Sequence, residues 1–299
     1  MLNGFDPVSS RFLADLSRIQ ERSHRAERQI ASGLRVEKAS DAPEQVAEIL
    51  RLRSRVETNT QTQTNLARVQ AQVNTAEAAM RESVGLLERA RVVGAQAATT
   101  GAPNRPALAI EVRQLHDRLI AVANVSAEGR YVFGGDGVTG QPYVADTTEP
   151  SGARLASGAI ANTTLVADDN QTTFQVFRTA SQVFDASGPS NAFKALEDLA
   201  VALANDSETD VQAAMPALLS ALEHVNRELA HFGNAQNRVT SAMDSAKRNA
   251  VSIRTELSRL EETDLPTAIL ELNSAKLHHE TALMAHSKMP RSTLFDYLG

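Results

Sequence analysis

At 299 residues with a net charge of −6, the chain is 42% hydrophobic but only 4% aromatic, and it contains neither tryptophan nor cysteine. Apolar content carried mostly by Ala, Leu and Val suits thin helical seams rather than one thick core, and the lack of thiols suits a chain handled in both reducing and oxidising surroundings. Composition excludes a nucleic-acid footprint, because no Lys/Arg block is dense enough, and a membrane span, because no apolar run reaches about 18 residues.

The opening MLNGFDPVSSRFLADL has no basic segment leading into an apolar one. No cleaved secretory signal is expected, and composition alone reads as cytoplasmic. Phe12, Leu16, Ile19, Ser23, Ala26 and Ile30 predict a first amphipathic helix whose seam is short, so that it is marginal on its own. Ser32-Gly33 reads as its stop, with Gly33 supplying a left-handed cap. Residues 34–41 form an extended connector, and Asp41, with Pro43 and Glu44 following, is expected to cap the next helix. That second helix runs from about 43 to 98. Leu66, Val69, Val73, Ala76, Met80, Ser83, Leu87 and Ala90 recur in it at alternating steps of three and four, whereas Thr58–Asn65 is polar all round and is expected to be frayed or hydrated. A turn at Thr100–Asn104 leads to a third helix, 105 to about 128, ended by Gly129.

From 130 to 190 glycines and prolines punctuate short alternating or β-branched runs, and seven of the twelve aromatic residues fall between 130 and 193. This reads as a small domain of hairpins holding the only compact core. A short helix (about 191–205) precedes a long one (about 208–262), in which Pro216 should kink the helix or mark a later start. Val211, Met215, Leu218, Leu222, Val225, Leu229, Phe232, Gln236, Val239, Met243, Ala246, Ala250, Ile253, Leu257 and Leu260 hold the heptad rhythm along it. After a break at Thr263–Pro266, a last helix to about 288 carries Leu265, Ala268, Leu272, Ala275, His279, Ala282, His286 and Met289 in phase.

A sustained 3.5-residue repeat winds helices into a left-handed supercoil, and one such helix cannot bury its stripe alone. The ends of the chain should therefore meet. The expected fold is mainly α with a small β-rich insert: a rod of long antiparallel coiled-coil helices plus an outer β domain. Its parts would be terminal helices (1–42 and 264–299), a helical rod (43–129 and 191–263) and the outer domain (130–190).

Chemistry-bearing clusters are few. His224, Glu228 and His231 share a helix face and could hold a metal, although a solvated flank fits better. His278-His279-Glu280 lacks the second histidine of a His-Glu-x-x-His zinc site, since position 283 is Leu. Gly134-Gly135-Asp136-Gly137 reads as a turn rather than a phosphate loop, and Asp168-Asp169-Asn170 as a turn rather than a calcium site. No catalytic residue, metal or cofactor is expected.

Several motifs resemble the bacterial flagellin superfamily. Arg28–Pro43, RQIASGLRVEKASDAP, is similar to its N-terminal signature through Ser32, Gly33, Leu34, Arg35 and Asp41, with Ala31 and Ala42 as small departures. Gly233–Arg238, GNAQNR, is similar to a Q-N-R turn on the C-terminal long helix, here Gln236, Asn237 and Arg238. Ser258–Asp264 is similar to the joint that follows. Gly129, Arg130, Tyr131, Phe133 and Gly135, with the tail Ser292–Leu298, resemble the family's hook–filament junction branch, the hook-associated protein 3 type. The insert matches nothing recognised.

The resemblance implies a structural subunit, exported unfolded without a cleaved signal and placed in the extracellular flagellum between hook and filament. Its partners would be copies of itself, the neighbouring junction protein, flagellin and an export chaperone, with neither nucleic acid nor membrane insertion. The expected assembly seam is Phe12, Leu16, Ile19, Ile30, Leu272, Ala275, Ala282, Leu294, Phe295 and Tyr297. A short bulk flagellin or a soluble coiled-coil scaffold would share most of this pattern.

Overall fold

The computed structural model describes residues 7–99, 104–136, 140–156, 165–167 and 172–288. Seven helices carry most of these: α1 (Pro7–Ser32), α2 (Val46–Ala97), α3 (Arg105–Ala123), α4 (Ala180–Phe184), α5 (Ala192–Ala204), α6 (Glu208–Glu261) and α7 (Leu265–Ser287). Between α3 and α4 lie three separate antiparallel pairs: β1 (Ser126–Ala127) with β2 (Arg130–Tyr131), β3 (Tyr143–Ala145) with β4 (Ala153–Leu155), and β5 (Leu165–Ala167) with β6 (Thr173–Gln175). The chain divides into two compact units, residues 1–58 with 250–299 and residues 59–249.

In the larger unit the heptad residues of α2 and α6 face each other. Asn74 meets Gln236, Gly94 lies against Met215, and Ala98 accepts a hydrogen bond from Gln212, so the partner number falls as the α2 number rises and the helices are antiparallel. Of the predicted α2 stripe, Leu66, Val73, Ala76, Met80, Ser83, Leu87 and Ala90 are buried. Val211, Leu218, Val225, Phe232, Val239 and Ala246 answer them from α6. Each large apolar side chain so covered is stabilising by about 1.5–3 kcal/mol, which offsets the ordering of two long helices.

Four local expectations are corrected. Thr58–Asn65 is unbroken helix: Asn59 is buried, donates to the Ala246 carbonyl at 3.1 Å and accepts from Gln63, so the polar interval is bridged from within rather than frayed. Helix α6 starts at Glu208 and runs through Pro216, which therefore marks no later start, and Gly233–Arg238 is helix rather than a turn. Helix α3 stops at Ala123. Asn124 leaves the helix and clamps β3, its carboxamide donating to the Tyr143 carbonyl and accepting from the Tyr143 amide. Gly129 instead sits in the β1–β2 loop, where Glu128 and Gly129 both take positive φ (53° and 79°), the type I′ geometry of a two-residue hairpin. The predicted turn at Thr100–Pro103 and the sites at Gly137 and Asp168–Asn170 lie outside the described residues.

The described residues of the aromatic insert form no core of their own. Phe133, Tyr143, Phe184 and Phe193 belong to the same buried cluster as Leu87, Leu119, Leu199 and Leu218, so the hairpins are lids on the helices. Their rings pack edge-on or tilted, Phe133 lying 5.4 Å from Phe184 and 5.9 Å from Phe232. Tyr143 donates to Asp185 at 2.7 Å, and burial followed by that carboxylate pushes its phenol well above the ordinary range. Asp185 in turn accepts from Asn191, which caps α5 by accepting from the Lys194 amide. The buried His116 fixes the β3–β4 loop by donating from Nε2 to the Ser151 carbonyl at 2.8 Å.

Gly152 is the one glycine of that loop doubly constrained. Its φ is +68°, and an added Cβ would stand 2.8 Å from His116 Cε1. A Gly152→Ala change meets a left-handed penalty of about 1–2 kcal/mol and displaces a buried imidazole. The expected result is a loss of about 2–3 kcal/mol of unfolding free energy with helical content retained, read from urea melts followed by circular dichroism.

Candidate assembly site

The smaller unit brings the two ends of the sequence together. Helices α1 and α7 pack antiparallel: Phe12 stacks on His286 with ring centroids 4.1 Å apart, Gln20 lies 3.4 Å from His279, and Arg22 pairs with Glu271 at 2.6 Å. Of the predicted seam, Ala275 is fully buried, joined by Ala26 and Ala268, while Phe12, Leu16, Ile19, Ile30, Leu272 and Ala282 are half-buried. Leu294, Phe295 and Tyr297, like Met289, lie outside the described residues. The fully buried positions of the contact are alanines, and Leu272 is the one bulky residue of α7 named in the seam. Other bulky residues of α7 stand elsewhere: Leu270, Leu277 and Met284 are 70%, 62% and 58% exposed. Each follows a seam residue (Ala268, Ala275, Ala282) by two positions, about 200° around the helix, so this second heptad stripe faces away from α1.

The N-terminal signature and the C-terminal joint meet at the base of this pair. Gly33, at φ 71°, ends α1 by donating its amide to the Gln29 carbonyl at 2.9 Å, the single-bond left-handed cap expected of it. Ser32 Oγ accepts from the Leu34 amide. Leu34 then forms an antiparallel bridge with Glu262: Thr263 donates to the Gly33 carbonyl at 2.9 Å, and Arg35 donates its amide to the Glu261 carbonyl at 2.6 Å. The Arg35 guanidinium reaches the Leu260 carbonyl at 2.8 Å and Gln45 at 2.9 Å. Below this ladder Val36, Ala42 and Ile49 pack with Leu257 and Leu260. Glu261, 8% exposed, is neutralised by Arg53 at 2.6 Å. The Leu260 and Glu261 carbonyls freed by the end of α6 are thereby satisfied from across the chain by Arg35, as a helix terminus without water requires.

Asp41 is displaced from its expected role. Its carboxylate accepts from the Lys38 amide at 2.8 Å and the Glu37 amide at 3.2 Å, closing a turn behind it, and α2 begins only at Val46. The Lys38 amide is the main reason its carboxyl sits below the ordinary carboxylate value. The Glu37 amide and the charges of Arg25 and Arg28 add to this, while slight desolvation opposes it.

The remaining motif residues serve the larger unit. Gln236 donates across to Asn74 at 2.9 Å, the Arg238 guanidinium lies 4.4 Å over the Phe174 ring, and Asn237 is exposed. Phe133 is core and its carbonyl receives the Ala180 amide; Gly135 takes φ 63°. Arg130 and Tyr131, beside Gly129, face a cleft of about 200 Å³ that Arg68, Val69 and Phe177 also line.

Of the three aligned residues of α6, two are engaged separately. His224 contacts the Gln182 carbonyl at 2.9 Å, and Glu228 pairs with Arg178 at 3.4 Å. Among the described residues no group of three or more potential ligands is arranged for a metal.

Comparison with known proteins fits these placements. Residues 8–137 match the bacterial flagellin N-terminal helical region and residues 215–298 the bacterial flagellin C-terminal helical region, together more than half of the chain. The chain belongs to the bacterial flagellin family. It is a structural protein of the flagellum rather than an enzyme, with assembly among other flagellar subunits as its business. A flagellin of Bacillus subtilis (strain 168) is 22% identical over 276 residues, 89% of each chain. Two solved structures share the fold: a putative flagellar hook-associated protein from Vibrio parahaemolyticus (TM-score 0.66, 16% identity, 75% of this chain and all of that one) and FlgL of Bacillus cereus (TM-score 0.57, 17% identity, 71% of this chain and all of that one). No helix among the described residues is long and apolar enough to cross a membrane.

For this flagellin-family chain, sequence reasoning missed Gln29, Gln45, Arg53 and Glu261 at the joint. The SRLEETD segment was visible, but nothing local ties Glu261 to an arginine 208 positions away.

Two outcomes follow. Arg35→Ala should speed amide exchange by about ten-fold or more at residues 33–38 and 258–264 while leaving 66–95 unchanged, as read by mass spectrometry. Burial pushes the His231 imidazole below its ordinary value, the Arg178 charge adds to this and Glu228 opposes it. The folded state therefore favours neutral His231. Its contribution is complete above the unfolded value of about 6.5 and is lost as pH falls from there toward the depressed folded value. Urea midpoints should drop less between about pH 7.5 and 5.5 for His231→Gln than for the parent chain.

Proposed function

We propose that this protein joins hook to filament, self-assembling through its terminal helices. The observation that carries the reading is α7, whose Leu270–Leu277–Met284 stripe has no partner on α1 yet keeps heptad spacing. Exposed apolar stripes of that length mark surfaces meant for another chain. The hook-associated fold of the neighbours from Vibrio parahaemolyticus and Bacillus cereus supports the junction role. In this reading residues 1–42 and 264–299 form the assembly core, 43–129 and 191–263 a helical rod, and 130–190 an outer domain. The chain is exported without a cleaved signal, escorted by a chaperone, and contacts its own copies, the neighbouring junction protein and flagellin outside the cell.

A second reading, a short filament flagellin, is favoured by the relative from Bacillus subtilis, which matches over 89% of both chains. The two differ in what the protein builds alone: a junction subunit stops at short oligomers, whereas a flagellin grows long filaments.

Sedimentation velocity and negative-stain microscopy of the purified chain test this. Short, concentration-dependent oligomers are expected, and Leu270→Gln with Leu277→Gln should abolish them. Because both positions are exposed, unfolding stability should stay within about 0.5 kcal/mol per substitution. Long filaments would overturn the junction role, and assembly undiminished in the double variant would overturn the α7 surface.

A further inference from the structure

The face of α6 that carries His224, Glu228 and His231 has a use other than metal binding. His224 holds the Gln182 carbonyl at 2.9 Å and Glu228 pairs with Arg178 at 3.4 Å. Both partners belong to the strap of residues 176–182 that leads from β6 into α4. This strap crosses between two buried apolar clusters. Val176 is fully buried with Phe174 and Val239, whereas Ala180 lies in the cluster of Phe133, Phe184 and Phe232. Arg178 stands at the crossing, a charged residue that neither cluster can absorb. It directly precedes Thr179, whose hydroxyl accepts the Gln182 amide and caps α4.

The polar atoms at this crossing are not satisfied by hydrogen bonds. Arg178 Nε, Glu228 Oε2 and His231 Nδ1 are all buried without a hydrogen-bond partner, so the arrangement rests on charge. The charges that act on His231 are those of Arg178 and Glu228. With His231 neutral, the single carboxylate serves Arg178 alone. With His231 protonated, two cations share it where water is largely shut out, and like charges there repel more strongly than at the surface. His231 is fixed on a long helix, whereas the Arg178 side chain is 32% exposed and has a way out. His224, two turns back, donates from Nε2 to its carbonyl whether or not it is protonated, so its hold on Gln182 does not change.

We propose that protonation of His231 expels Arg178 from Glu228 and frees the strap from α6, so that the three residues form a pH-operated latch on the β5–β6 pair. Linkage makes the effect mutual: docked Arg178 disfavours the imidazolium as much as the imidazolium disfavours docked Arg178. The lowered His231 value has this sign. The strap is held above the ordinary histidine value of about 6.5 and is progressively freed as pH falls below it. The latch is internal to one chain and does not depend on assembly.

The test is hydrogen exchange on the full chain at about pH 7.5 and about pH 5.5, corrected for the intrinsic pH dependence of amide exchange, with the α3 amides as internal reference. Protection at residues 176–182 should fall by about three-fold or more in acid while α3 holds. His231→Gln, neutral throughout, should keep the strap protected at both pH values. Arg178→Gln should raise the His231 titration midpoint toward the ordinary value, read from the imidazole Cε1 proton resonance. Strap protection that is unchanged in acid, or that falls equally in His231→Gln, overturns the latch. A His231 titration unmoved by Arg178→Gln overturns it as well, and so does a loss of protection that α3 shares, which is global unfolding.

Discussion

Everything in this molecule follows from two long helices whose apolar stripes neither can cover by itself. Helices α2 and α6, of 52 and 54 residues, each carry an apolar stripe with a coiled-coil repeat. Such a stripe left in water forfeits the burial that offsets the entropy of ordering the chain. Covering it fixes the antiparallel arrangement in the larger unit, and that arrangement decides where everything smaller can go. The hairpins are short because they need only cap an existing helical surface. Their aromatic side chains enter the helical cluster instead of making one of their own, and Asn124, Asp185 and His116 satisfy the polar atoms that this docking would otherwise strand.

The joint of the smaller unit solves a different problem. A helix that ends leaves its last carbonyls unpaired, and here α1 and α6 both end, with α7 starting four positions after Glu261. The bridge from Gly33–Arg35 to Glu261–Thr263 uses each stop to satisfy the other. That explains the residue types. Gly33 supplies the left-handed turn, Ser32 a local acceptor, and Arg35 a long side chain whose Nη2 donates to a carbonyl and a carboxamide together. Glu261 is tolerated in a buried position only because Arg53 neutralises it. A motif that reads as a string along the sequence is, in space, half of a two-part clasp.

What could be read beforehand divides along the same line. The heptad positions, the stop at Gly33, the presence of hairpins from about 130 and the restart at 265 depend on local periodicity or local backbone conformation, and the sequence displays those directly. The misreadings involve a residue whose partner is remote. Thr58–Asn65 looked like a weak spot because it is polar all round and breaks the apolar phase; what holds it is the bond of the buried Asn59 to the remote Ala246 carbonyl. Asp41 carries every feature of a helix cap, yet the backward turn to Lys38 competes for the same carboxylate and wins. Gly129 looked like the end of a helix because a glycine after a helical run usually is; the Asn124–Tyr143 clamp ends it five residues earlier. Site residues obey the same division: Ala275 and Phe12 were visible through their phase, Glu261 and Arg53 were not.

The distribution of bulk on α7 carries the last step. A helix designed only to pair with α1 would place its leucines inward, since each inward leucine is worth about 1.5–3 kcal/mol against almost nothing for alanine. This helix does so at Leu272 alone: Ala268 and Ala275 are buried, while Leu270, Leu277 and Met284 face out. Alanines allow close approach but little burial. That arrangement is poor design for a monomer that has only itself to pack against. It is sound for a subunit whose intramolecular contact needs only to set the register of two helices, because the larger share of stabilisation then arrives from the chain that covers the outer stripe. Weak inside and sticky outside is the order of strengths that couples completion of the fold to assembly, since ordering α7 gains little until a neighbour is present.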